Sequence, residues 1–426
     1  MTATTGRHHD LARRAFWARP LPEKLTYYAF LREHDPVSWN GDGEPGSGEG
    51  LWAVARYDDV REVSCDADRF SSAKGVANLD LDAFGPLPDD GIDPVAAALG
   101  TQSFLVMDDP EHRRLRGLVQ KAFSPGQMNS LAEQIVADAK AIVDELEPHE
   151  CGDFVERVAK RLPLVTIGKI LGVSDDERES MLAMVDAAVS FSDPDFLQGR
   201  SPVEVLTESF MTIAGYAFEK AAYLRAHPGG RGVMAALVEA EEDGQRLTDA
   251  EIAQFTCLLA IAGNDTTRNT TSWGMRALTE FPDQRAVLLE DLPARLKGGV
   301  EEFVRYGSPV TNFLRTATVD TEISGREIRA GDKVMMLYES ANRDPRAFVD
   351  PDRFDVTRSP NRHLGFGGGG PHFCLGAVLA RVQLRALFEE LLRQFPALEV
   401  GEPRLLVSTL MNAPIAMPMD TGGRAV

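Results

Sequence analysis

Residues Phe366 to Gly376 read FGGGGPHFCLG, so four consecutive glycines precede a single cysteine, Cys374. Glycine lets the backbone pass close to a bulky flat object where a side chain would clash. A helical pattern follows Cys374, and a thiol at a helix start has its thiolate favoured by the dipole and by free N–H groups. Such a sulfur could ligate a haem iron, where a thiolate pushes electron density onto the metal. It could also be a nucleophile, or an incidental cysteine in a glycine turn. His372, two residues earlier, places a further polar group on the same loop.

A second constellation is Ala262-Gly263-Asn264-Asp265-Thr266-Thr267. Leu258, Leu259 and Ile261 lead into it, which argues against a solvent-facing patch, and a buried unpaired carboxylate would be costly. A carboxylate beside a hydroxyl can pass protons to a reacting centre. The spacing also suits a locally distorted helix that holds a water. Elsewhere Glu302 and Arg305 form E-x-x-R, with both charges on one helix face, where a surface ion pair is the simpler alternative. His112 and Arg116, at i and i+4 in EHRRLR, also share a face, and Arg315 opens R-T-A on an expected strand.

These groups need elements to hold them. Thr248 with Glu251 is a capping box that opens a proline-free stretch to about Thr279, a helix roughly 45 Å long. Asp109-Pro110 and Ser124-Pro125-Gln127 read as two further helix starts, and Ser174 with Glu177 as another capping box. After Gly307 the pattern changes to short strands at 313–319, 321–323 and 333–337. A last helix runs from near Cys374 to Phe395, stopped by Pro396. Gly41–Gly50 reads as a hairpin or surface connection. Residues 78–101 form a loop of the length usually reserved for function or disorder. The expected fold is mostly α with a small β portion, one domain over residues 1–426.

Composition narrows the class. The chain has 426 residues, 43% hydrophobic and 26% charged, the balance of a globular protein. Its net charge of −20 disfavours nucleic acid and anionic membranes. The cysteines Cys65, Cys151, Cys257 and Cys374 are far apart, so a zinc site or disulfide framework is not expected. The N-terminus lacks an apolar signal core, and no apolar run is long enough to span a bilayer. A cytoplasmic protein without a membrane anchor is expected.

The loop and its continuation, FGGGGPHFCLGAVLAR, resemble the haem-binding signature of the cytochrome P450 family, and nearly the whole chain follows that family's order of motifs. In the usual spelling the aromatic stands seven residues before the cysteine, whereas Phe366 stands eight before Cys374. The expanded loop resembles that of an actinobacterial subgroup hydroxylating sterol side chains and methyl-branched lipids. The resemblance implies a triangular fold with haem b, iron protoporphyrin IX, between the long central helix and the cysteine-loop helix. Cys374 would be the iron ligand, with Phe366 and Gly376 beside the cofactor and His112, Arg116, Arg315 and His372 holding its carboxylates. Asp265 would relay protons and Thr266 would hold the oxygen species with its water. Gly263 would leave room over the iron. Arg353, in PDRF, would join Glu302 and Arg305 in a structural network.

The resemblance also implies a monooxygenase reaction on an apolar steroid, terpenoid or lipid, with O2 and two electrons from a ferredoxin and its reductase as separate proteins. Roughly 50 residues after the cysteine are too few for a flavin or nicotinamide domain. A monomer is expected. Arg113 and Arg114 would help dock an acidic electron donor. Leu258, Ile261, Ala262 and Gly263, with Thr311, Phe313 and Met411, would line the substrate pocket, Thr311 being its main polar group. Loop segments 71–107 and 190–202 would contact substrate. A peroxide-driven haem-thiolate hydroxylase and a non-catalytic haem sensor or carrier are the alternatives; the Asp265–Thr266 pair argues against both.

Overall fold

The computed structural model describes residues 10–42, 44–47, 50–77, 103–173, 181, 183–187, 194–230 and 232–425. The Ser174–Glu177 box, the 78–101 loop and residues 190–193 of the 190–202 segment lie outside them; in the rest of that segment Pro194–Leu197 forms a short helix. The elements that matter for the site begin with helix α1 (Leu21–His34), strands β1 (Val37–Gly41) and β2 (Gly50–Val54), helix α2 (Tyr57–Cys65) and the short β3 (Phe70–Ser71). Helices α3 (Glu111–Ala122) and α4 (Pro125–Asp144) follow, then a π-helical turn at Val155–Ala159 and α5 (Arg161–Leu171). After α6 (Pro202–Ala226) and α7 (Val233–Glu239) comes α8 (Asp249–Glu280). The remainder includes α9 (Leu292–Gly307), β4 (Asn312–Ala317), β5 (Lys333–Leu337) and α10 (Ala377–Gln394). No described helix is long and apolar enough to cross a membrane.

The longest of these, α8, has 32 residues. It starts where the capping box places it: the Thr248 hydroxyl accepts the Glu251 N–H, and the Glu251 carboxylate accepts the Thr248 N–H. The other two expected starts differ in detail. Helix α3 begins one residue after Pro110, and Asp109 turns its carboxylate to His112 and Arg113 instead of capping. Helix α4 begins at Pro125, but Ser124 makes no side-chain cap.

Helix α8 crosses the molecule against α5, α6, α9 and α10. Where it meets α9 and α10, Gly274 is required: a Cβ there would lie 2.9 Å from the Phe388 ring and 3.0 Å from that of Phe303. The Phe303 and Phe388 rings pack against each other at a tilt of 44° with centroids 4.5 Å apart, and both are buried. Each such side chain contributes about 1.5–3 kcal/mol by burial, which fixes the crossing of the three helices.

Five strands make the principal sheet, in the order β1-β2-β5-β4-β3. The 41–50 connection is the hairpin between β1 and β2, and only β5 with β2 is parallel. Pairing of Val334 with Arg315 fixes the register that carries Arg315 inward from β4. Buried Trp52, Val54, Val334 and Met336 form a smaller core beneath this sheet, apart from the helical one.

Candidate functional site

The loop before α10 is pinned at both ends. The Cys374 N–H donates to the Phe366 carbonyl at 2.9 Å, closing the loop on itself. Its outer edge packs on the end of α2, where the Ser64 hydroxyl donates to the Gly369 carbonyl at 3.0 Å. Gly370 has φ +75°, and a Cβ there would lie 2.4 Å from the Ser64 carbonyl oxygen. Glycine at this position is therefore dictated by the protein's own backbone, a reason different from approach to a flat ligand. Phe366 lies under the Arg381 guanidinium, 4.3 Å from its centroid, and beside His363.

Helix α10 starts at Ala377, three residues past Cys374, with Gly376 at its cap. Cys374 is open on one side. Burial on the others pushes its thiol up, while the Gly376 N–H, Arg116, Arg381 and the Ala377 N–H pull it down. At the helix start, two amides and two cations thus face the sulfur and oppose a burial that on balance raises its pKa.

Beside this loop the structure gathers four basic side chains. The His112 and His372 rings stand 4.2 Å apart. Burial first, then the charges of Arg315, His112 and Arg116, hold the His372 imidazole down at about 3. Arg315 is 4% exposed and donates to the carbonyl of Leu314. Arg116 donates to the Phe373 carbonyl, next to Cys374. His112 is buried, and its Nε2 has no partner among the described residues. Ser72, which sequence reasoning missed, meets His372 Nε2 at 3.1 Å, and Ser71 and Ser72 both bind the Asp108 carboxylate. Like charges crowded around an orphaned imidazole nitrogen call for an anion. A thiol with two amides adjoins them. This donor set fits haem: a sulfur for iron, and cations for two carboxylates.

The α8 segment differs from expectation in one respect. The helix runs unbroken through Gly263 and Asn264, and the Thr266 hydroxyl donates to the Ala262 carbonyl at 2.8 Å. Asp265 pairs with Arg268, one turn on. Burial raises the Asp265 pKa, Arg268 lowers it, and the charge of Asp186 raises it further. Ala262 is exposed in mid-helix and Thr266 half-buried, although Asn264, Thr267 and Arg268 around them are buried. A Cβ at Gly263 would meet Ile167 and Leu259 at 3.6 Å, ordinary contact, so protein packing does not require glycine there.

Glu302 and Arg305 are wholly buried and joined by two hydrogen bonds of 2.7 Å. The third side chain in this network is Arg358, 3.2 Å from Glu302; Arg353, expected there, is exposed and supplies only its backbone carbonyl to Arg305. The chain turns between them so that PDRF presents main chain and the following segment presents the guanidinium. The Asp355 N–H and the Asn361 amide complete the shell of Glu302. Its neighbour Glu301 binds Arg381 at 2.6 Å and His363 at 3.1 Å. Burial alone would raise Glu301, but these partners outweigh it and hold the carboxyl down at about 2. The Glu301–His363–Arg381 cluster joins α9 to Phe366, and no spacing rule in the sequence reveals it.

One pocket expectation is corrected. Thr311 is 1% exposed, and its hydroxyl is used by the Leu410 carbonyl and the Asn312 amide, so it is not a free polar wall. Leu258 belongs to the main core. Met411 pairs with Val310 through a β-bridge, which brings the C-terminal hairpin to the start of β4, and Phe313 packs against Tyr338. Arg113 and Arg114 are not a free basic patch, since they pair with Asp109 and Glu251.

The family model described as Cytochrome P450 matches residues 90–411. A steroid C26-monooxygenase of Rhodococcus jostii is 37% identical over 398 residues, 92% of this chain and 80% of that protein. A methyl-branched lipid omega-hydroxylase of Mycobacterium tuberculosis is 37% identical over 411 residues, 95% of this chain and 92% of that one. A solved Mycobacterium marinum cytochrome P450 in complex with pseudoionone is 44% identical, with a TM-score of 0.86 over 95% of this chain and 96% of that chain.

Proposed function

The chain belongs to the cytochrome P450 family, and from that premise we propose that it hydroxylates a large apolar steroid, terpenoid or branched lipid at an unactivated carbon, with O2 and two electrons from a ferredoxin. It is a haem-dependent monooxygenase with haem b as cofactor. The observation that carries the reading is the convergence of His112, His372, Arg116 and Arg315 beside the amide-backed sulfur of Cys374. When bound, haem supplies the iron at which dioxygen is reduced and one oxygen atom is inserted into a C–H bond.

The chain's own residues do the rest. The Cys374 sulfur, steadied by the Gly376 and Ala377 amides, would hold the haem iron. Arg116, Arg315, His112 and His372 would hold the cofactor's two carboxylates. Asp265 accepts a proton from the solvent side, and the Thr266 hydroxyl, one residue on, holds it at the reacting face. Glu302, Arg305 and Arg358 stiffen the segment leading into the cysteine loop. Ala262 and Ile261 give the α8 wall an apolar surface. Such a wall gains roughly 25 cal/mol for each Å² of hydrocarbon buried, favouring a large greasy substrate. The names of the relatives, a steroid C26-monooxygenase and a methyl-branched lipid omega-hydroxylase, support the same class.

The test is an optical spin-state titration of the purified haem protein with sterols, terpenoids, branched fatty acids and small aromatic acids, followed by NADH-driven turnover with surrogate ferredoxins. A shift with the first three classes, and a hydroxylated product, is expected. A response to small polar aromatic acids alone contradicts the substrate class.

A further inference from the structure

Helix α9 meets the cysteine loop at a charge cluster that no step of the reaction uses. Arg381 Nε and Nη2 donate to the two oxygens of Glu301, at 2.6 Å and 2.8 Å. Such a fork fixes both partners in one geometry. His363 Nε2 meets the same carboxylate at 3.1 Å. On the other side of that ring, Nδ1 accepts the Gly365 N–H at 3.1 Å, so Nδ1 carries no proton. The imidazole is therefore neutral, with its proton on Nε2 and directed at Glu301. The cluster holds one cation, one anion and one neutral ring, and its net charge is zero.

The cation of this cluster lies toward Cys374. Arg381 stands on α10, and its Nη1 turns back to the Ala377 carbonyl at 3.3 Å, toward the end of the helix that follows the cysteine. Its guanidinium lies 4.3 Å from the centre of the Phe366 ring, where the face of the ring attracts a cation. His363 flanks the same ring at 5.5 Å. The Phe366 carbonyl in turn accepts the Cys374 N–H at 2.9 Å. An unbroken run of contacts thus leads from Glu301 through Arg381 and Phe366 to Cys374.

Two cations bear on that sulfur, Arg116 and Arg381, against a burial that raises its pKa. Arg116 belongs to the group that would hold the haem carboxylates. The carboxylate that meets Arg381 comes instead from α9, so the protein itself decides how much of this second charge is offset.

We infer that Arg381, held over Phe366 by Glu301 and His363, sets the charge felt by the Cys374 sulfur and through it the one-electron reduction potential of the haem iron. The role rests on the reading of Cys374 as the iron ligand. Charge near a metal's sulfur ligand is one of the levers that a protein has on the potential. A cation there favours the added electron, which the reductant supplies. The Glu301 carboxylate offsets that cation, so the two residues act with opposite sign. Glu301 and His363 are positioning residues for the guanidinium.

Spectroelectrochemical titration of the haem-loaded parent, Glu301→Gln, Arg381→Met, Arg381→Lys and the double variant Glu301→Gln/Arg381→Met tests this, with no substrate and no turnover. Glu301→Gln leaves the cation without its carboxylate and should raise the potential. Arg381→Met leaves the carboxylate without its cation and should lower it. Each shift should amount to a roughly tenfold change in the ratio of reduced to oxidised iron, about 59 mV for one electron. The double variant should fall between the two, and Arg381→Lys, which keeps the charge, should stay near the parent. A purely structural role, acting through a loosened loop, moves both single variants in the same direction. Shifts of one sign, an unmoved potential in Glu301→Gln, or a potential in Arg381→Lys as low as in Arg381→Met overturn the inference. Glu301→Gln and Arg381→Lys are conservative, and they decide the matter where Arg381→Met does not retain haem. The reduced, carbon monoxide-saturated spectrum of each sample separates the two possible failures. A parent without the thiolate Soret band contradicts Cys374 as the ligand, whereas a normal band with unmoved potentials contradicts only the role of Arg381.

Discussion

The imidazoles of His112 and His372 face each other at 4.2 Å, and the charges of Arg315 and Arg116 bear on the same point. One ring comes from a helix start and the other from the cysteine loop, 260 residues apart in a chain that folds them into ring contact. Left to themselves these groups repel, and burial keeps His372 neutral far below its ordinary range. Two carboxylates placed among them turn that repulsion into charge-assisted hydrogen bonds.

Haem retention should therefore depend on this cluster. Each charge-assisted bond contributes about 1.5–3 kcal/mol, so Arg315→Met and Arg116→Met should each release haem about ten- to a hundredfold faster. Transfer of the cofactor to an excess of a haem-free acceptor protein measures this. Unchanged release rates in both variants would remove the two arginines from carboxylate binding.

The buried network predicts an asymmetry between two arginines of one segment. Arg305→Met removes the bidentate partner of the wholly buried Glu302 and leaves Arg358 as its remaining cation, which should cost about 3–5 kcal/mol, seen as loss of soluble haem protein. Arg358→Ala should also destabilise clearly, because its guanidinium reaches Glu302 and the carbonyls of Val349, Asp350 and Arg353. Arg353→Ala keeps the main-chain carbonyl and should change stability by only about 0.5 kcal/mol. Urea midpoints decide, and a reversed order of Arg353 and Arg358 contradicts the network as described.

Glu301 makes stability depend on acid. Its folded pKa, about 2, lies below its ordinary value of 4.5. The contribution is therefore complete above the unfolded pKa and is lost as pH falls from there toward the folded one. The shift corresponds to about 3 kcal/mol for this largely buried carboxylate. Between about pH 5 and about pH 3 the parent should lose more stability than Glu301→Gln does, by denaturant midpoints. Parallel curves for the two proteins would show that Arg381 and His363 do not hold Glu301 ionised.

Asp265 and Thr266 should separate in their effects. Asp265→Asn should slow product formation about a hundredfold. Thr266→Ala should keep electron consumption but divert it to hydrogen peroxide. Product formed per NADH, with one good substrate, distinguishes them, and equal coupling in Thr266→Ala and the parent removes Thr266 from the mechanism.

Local spacing made part of this site legible. The i, i+3 relation of Glu302 and Arg305, the i, i+4 relation of His112 and Arg116, and the Thr248–Glu251 box each act within one helical turn, so identity and spacing determine geometry. The third arginine was misassigned because 350–360 is irregular, and the chain path alone decides whether Arg353 offers a side chain or a carbonyl. Thr311 looked like a pocket wall because its partner, the Leu410 carbonyl, comes from a hairpin 99 residues away. The Ser64 backbone that forces Gly370 is more remote still, and the glycine run alone could not show whether it yields to a ligand or to the protein. Glu301, His363 and Arg381 likewise meet only through the packing of α9 on α10.

The central claim is that the Cys374 sulfur holds the cofactor's iron. The reduced, carbon monoxide-saturated absorption spectrum of the parent, Cys374→Ala and Cys257→Ala tests it most directly. The parent and Cys257→Ala should show the red-shifted Soret band of thiolate-ligated haem, and Cys374→Ala should lack it. A retained band in Cys374→Ala, or its loss in Cys257→Ala, would contradict the account.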